Sequence, residues 1–152
     1  MSETTFDTLE AHKHFSKQCF NGAWDLIDKT NRTHDDNEQM IHLAHASIWH
    51  WSQRADCSDK NLSIGYWQLS RIYALLHDGA CAIKYARICL EKTPQDDPFL
   101  AGYAHEALAR AERLLGNQAQ AKKHHAEALL FAESIPDAES KQMLLGDLES
   151  LF

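Results

Sequence analysis

The residues whose type and spacing come nearest to chemistry are the histidines of the string HLAHASIWHW, His42, His45 and His50. On a helix His42 and His45 are neighbours at i and i+3, and Glu38 stands one turn before His42. Two imidazoles and a carboxylate are a zinc-type ligand set, so Glu38, His42 and His45 are the candidate metal ligands. His50 lies five residues beyond His45 and points elsewhere. The commoner role of such histidines is to edge an apolar face. No second cluster at metal-ligand spacing supplies the missing ligand, so the leading expectation is a chain without metal or cofactor.

The other polar residues carry less chemistry. Of the ten histidines, His12 and His14 fall on different helix faces, and the adjacent His124 and His125 cannot both turn to one site. The sequence has no glycine-rich phosphate loop, nucleophile elbow or Cys-His motif. Its four cysteines, Cys19, Cys57, Cys81 and Cys89, contain no Cys-x-x-Cys pair and read as reduced packing thiols. With Lys+Arg 15 against Asp+Glu 22 the net charge is −7, which speaks against a general nucleic-acid binder, because phosphate neutralisation needs a basic surface. No apolar stretch is long enough to span a bilayer and no basic-then-apolar leader opens the chain, so a cytoplasmic protein without membrane contact is expected.

The elements that must position these residues are helices. A chain of 152 residues that is 44% hydrophobic, with three prolines and six glycines falling mostly between periodic segments, reads as one all-α domain with short connections. A first helix is expected over Phe6–Cys19, with Leu9, Phe15 and Cys19 available for one face. Asn21-Gly22 should break it before a short helix over Ala23–Lys29. Thr33 with Asp36 resembles a capping box and should start a long helix from about His34 to Arg54, with Ser58 or Asp59 capping the next. Trp49 and Trp51 cannot share a face of that helix, so one of them is a candidate partner contact. Most of the other tryptophans and tyrosines read as core.

The stretch Tyr66–Pro94 holds Tyr66, Leu69-Ser70, Tyr73, Ala82, Ala86, Cys89-Leu90 and Pro94, with a turn at Asp78-Gly79. This pattern resembles the tetratricopeptide repeat (TPR), a helical hairpin that stacks into solenoids. A shift of 39 residues finds an echo: Leu69 maps to Leu108, Ser70 to Ala109, Arg71 to Arg110, Ala82 to Ala121, Cys89 to Ala128 and Leu90 to Leu129, with Gly116-Asn117 at the turn. Asp97-Pro98 reads as N-cap and first helical residue of that echo. The resemblance implies antiparallel hairpins stacked as a short TPR-like right-handed superhelix of seven or eight helices. Degenerate helices would fill 1–60, the clearest repeat 61–94, a second repeat 98–133 and a capping helix 137–151.

In such proteins the first helix of each hairpin lines a concave groove. The resemblance therefore implies that Trp67, Arg71, Tyr103, Arg110 and Arg113, with Glu106, face it. Arg71 and Arg110 would stand on adjacent helices and grip a carboxylate of an acidic protein or peptide partner. The plain counter-reading is local pairing, Arg110 with Glu106 and Arg113 with Glu112 or Glu106. The lysine and asparagine set of the family's carboxylate clamp is absent. The expected function is a non-enzymatic adaptor. The alternatives are a helical-bundle metal-binding protein or hydrolase using Glu38, His42 and His45, which would resemble metalloproteins related to damage-inducible hydrolases, and a module that forms a homodimer through an uncovered face.

Overall fold

A computed structural model describes residues 5–152, which form seven α-helices: α1 (Thr8–Ile27), α2 (His34–Ser52), α3 (Asp59–Leu75), α4 (Gly79–Lys92), α5 (Pro98–Leu114), α6 (Gln118–Glu133) and α7 (Ala138–Glu149). Among the described residues there is no strand, as expected of an all-α chain. The chain divides into two compact units, Met1–Ser58 and Asp59–Phe152.

The first unit is the α1–α2 pair. Its α2 begins as the sequence indicates: the Thr33 side chain accepts from the Asp36 amide, and the Asp36 carboxylate accepts from the Thr33 amide. The expected break at Asn21-Gly22 does not occur, and α1 runs unbroken through it. A Cβ on Gly22 would stand 3.3 Å from Leu43 Cδ1, so this glycine serves close approach to α2 rather than a turn. The expected apolar face of α1 is also corrected. Leu9 and Phe15 are exposed, while His12, Ser16 and Ala23 are buried. That burial is tolerable because the polar groups are satisfied across the helix pair. Ser47 Oγ donates to the Ser16 carbonyl at 2.8 Å, and Arg54 Nη1 donates to Ser16 Oγ at 2.9 Å.

The second unit stacks two hairpins, α3–α4 and α5–α6, and adds α7 against α5 and α6. The two hairpin turns are the same structure 39 residues apart. At the first, His77 has φ 60° and the Asp78 amide donates to the Tyr73 carbonyl at 2.9 Å. At the second, Gly116 has φ 79° and the Asn117 amide donates to the Glu112 carbonyl at 2.9 Å. Both are left-handed C-terminal caps of the kind that end helices. The turn expected at Asp78-Gly79 thus lies one residue earlier, on His77; Asp78 is the N-cap of α4 and Gly79 its first residue. Asp97 caps α5 with Pro98 as its first residue, and Asp137 caps α7.

Small residues hold the hairpins close. Ala74, Ala82, Ala86, Ala107 and Ala111 pack with Ile83 and Leu108 in one cluster, and Ser70 Oγ donates to the Ala82 carbonyl at 2.8 Å. A second cluster joins Tyr103, Ala109, Ala128 and Ala132 to Ile135, Leu144, Leu148 and Leu151. Leu144 and Leu148 therefore dock α7 as expected of a covering helix, whereas Met143 points outward at 56% exposure.

Candidate functional site

Helix α5 is buried along most of its length and carries charge inside. Glu106 is 1% exposed, which is costly for a carboxylate unless donors surround it. Two elements supply them. Trp67 on α3 donates from Nε1 to Glu106 Oε2 at 3.0 Å, and Arg110, one turn along α5, donates from Nε to Oε1 at 2.9 Å with Nη2 on the same oxygen. A second acid is held in the same way. The Tyr103 hydroxyl donates to Asp147 Oδ2 at 2.7 Å, and burial, with that carboxylate, pushes the phenol's pKa well up. The Trp67 and Tyr103 rings meet edge to face at 5.4 Å.

Beside these saturated acids lies a cavity of about 440 Å³, lined by Arg71, Ala74 and Leu75 of α3, Arg110, Arg113 and Leu114 of α5, and Leu151 beyond α7. Among the described residues, three arginines and no carboxylate contribute to its wall. The guanidinium of Arg110 is committed to Glu106. Arg113 stands over the Phe152 ring at 5.8 Å and, among the described residues, makes no ion pair; Glu112, its expected partner, accepts from Asn117 Nδ2 instead. Arg71 makes neither a hydrogen bond nor an ion pair among the described residues. Burial lowers its pKa first, and the Arg110 charge lowers it further, while Glu106, Asp147 and Tyr103 act in the opposite direction.

Three of the five residues assigned to a groove therefore share one cavity, and the other two have a different task. Trp67 and Tyr103 are not in its lining; they hold the two carboxylates. The reading that Arg110 pairs locally with Glu106 is met, and the corresponding pairing of Arg113 is not. Glu38, His42 and His45 all lie exposed on α2. Among the described residues no three His, Cys, Asp or Glu side chains stand where they could hold a metal ion, so these three are not assembled as ligands. Trp49 is the more exposed of the neighbouring tryptophans, and Trp51 is covered by Arg54, whose guanidinium carbon lies 3.8 Å from its ring centre. None of the four cysteines is in a disulfide, and burial pushes the Cys89 thiol up to about 11.

The structure also pairs histidines that sequence spacing did not connect. His12 and His50 approach Nδ1 to Nδ1 at 2.8 Å between α1 and α2, and His105 and His124 do so at 3.1 Å between α5 and α6. At these distances one ring must donate and the other accept, so each pair shares a proton. Partners 38 and 19 residues apart leave no local signal. His125 turns from its neighbour and meets the Leu148 carbonyl at 3.2 Å, so the two adjacent histidines do face different elements. No helix of the described residues is long and apolar enough to cross a membrane. No family model, no curated protein and no solved structure matches the chain.

Proposed function

We propose that the protein is a non-enzymatic binding module that takes an acidic group of a protein or peptide partner in the cavity of Arg71, Arg110 and Arg113. One observation carries this reading: Arg71 is half-buried on a wall without carboxylates and, among the described residues, has no hydrogen bond or ion pair to an anion. A half-buried guanidinium without a bonded partner bears a desolvation cost that an incoming carboxylate relieves, by a bidentate contact unavailable to a solvated side chain. The two hairpins of the second unit, their equivalent turns and the covering α7 support a TPR-like right-handed stack as the scaffold. On that scaffold Arg71 and Arg110 occupy matching places.

The test uses an array of short peptides that differ only in the number and position of Asp and Glu. Arg71→Ala combined with Arg113→Ala is the informative variant, because among the described residues neither side chain makes a hydrogen bond or an ion pair, whereas Arg110→Ala would uncover Glu106. Affinity for acidic peptides should fall at least about tenfold while the thermal midpoint stays within a few degrees. Equal affinity of wild type and variant would reject the site. Self-association is a second reading, motivated by the exposure of Leu130, Met143 and Phe152 in the second unit. Sedimentation analysis across concentration tests it: a monomer at all concentrations excludes it.

A further inference from the structure

We infer that the arginine cavity is matched to one negative charge on an aliphatic stem, the chemistry of an alkyl monocarboxylate, and not to a phosphate or a dense run of acids. This rests on the binding reading above and narrows its ligand class.

Charge balance is the first ground. Three guanidinium groups line the cavity, and two carboxylates, Glu106 and Asp147, already act on Arg71 from outside the lining. Trp67 and Arg110 hold the Glu106 carboxylate and Tyr103 holds that of Asp147, which keeps both charges near the cavity. One positive charge is left over. A single carboxylate completes the set by taking both donors of the Arg71 fork. A dianion would bring a second negative charge toward Glu106 and Asp147, and like charges in a partly dry site repel strongly.

The second ground is the rest of the wall. Ala74, Leu75, Leu114 and Leu151 complete the lining with aliphatic surface. Leu114 is 40% exposed and so has area left to cover, whereas Leu151 is held in the core. An alkyl stem next to the carboxylate removes that surface from water, and each methylene that seats there should tighten binding by about two- to fourfold.

The probes are acetate, butyrate, hexanoate, hexanol and inorganic phosphate, added at about pH 8, where phosphate is largely a dianion. Binding is followed through the Arg71 Nε–Hε resonance and the backbone amides of α3 and α5. The expected order is hexanoate tighter than butyrate tighter than acetate, with phosphate and hexanol each at least about tenfold weaker than hexanoate. Arg71→Gln should abolish carboxylate binding, and Arg71→Lys, which keeps the charge and loses the fork, should leave an intermediate affinity. Phosphate binding as tightly as hexanoate would overturn the charge match while leaving an anion-binding cavity. Hexanol binding as tightly as hexanoate would overturn the need for charge. If acidic peptides bind and none of the alkyl acids does, the narrowed ligand class is wrong and the broader reading stands; if neither binds, the broader reading falls as well.

Discussion

On the proposed reading Glu106 sets the charge that a ligand meets, since it is a buried carboxylate bonded to an arginine of the cavity wall. Removing it by Glu106→Ala leaves Arg110 without its counter-charge and Trp67 Nε1 without its acceptor, a loss of about 3 kcal/mol for an ion pair with one partner this deeply buried. Denaturant unfolding would show it. Glu106→Gln keeps one oxygen, which can accept from Arg110 or from Trp67, and turns its NH2 toward the other donor, so it should cost less than Glu106→Ala without being neutral. That substitution also adds one net positive charge to the cavity, so phosphate should gain on hexanoate in direct competition. If their relative affinities do not change in this variant, Glu106 does not set the charge preference. That Arg71 and Arg110 come together from α3 and α5 was expected from their 39-residue spacing, and both line the one cavity. The task of Trp67 and Tyr103 was not, because an aromatic at a groove position and an aromatic donating to a buried acid have the same sequence signature.

At the scale of elements, the two hairpin turns offer a controlled comparison. Gly116 adopts its left-handed conformation without a side-chain penalty, whereas His77 adopts the equivalent one with an imidazole attached. His77→Gly should therefore stabilise the second unit by about 1 kcal/mol, read as a higher midpoint in a denaturant or thermal melt. A lower midpoint would mean that the His77 ring contributes more than its backbone costs. The caps at Thr33 and Asp97 and the approximate extents of α3 to α7 were readable, since capping and apolar periodicity are local. Helix α1 was not. Its buried face is built on His12 and Ser16, whose burial depends on hydrogen bonds to α2 and the segment after it, and its Gly22 is a contact rather than a stop. Apolar periodicity does not register an interface whose small polar residues are satisfied by another element.

At the scale of the whole molecule, the histidine pairs link folding to pH. Burial holds His50, His105 and His124 below the ordinary histidine pKa, with the paired ring as a further cause for His50 and His105. In the unfolded chain these groups bind protons near pH 6.5, so between that value and their lower folded pKa values the unfolded state holds more protons. Stability is then fully present above about pH 6.5 and is lost as pH falls through the folded values. Melts at about pH 5 and 7.5 should show the lower midpoint in acid, and replacing His50 and His105 together by Gln should flatten the difference. An unchanged pH dependence in that variant would place its origin elsewhere. The central claim remains the anion cavity, and a double-mutant cycle tests it most directly. One acidic peptide and its Asp→Asn counterpart are titrated calorimetrically into wild type and Arg71→Ala, giving the coupling between ligand carboxylate and guanidinium. A favourable coupling of about 1.5 kcal/mol or more is predicted; a coupling of zero would contradict the account.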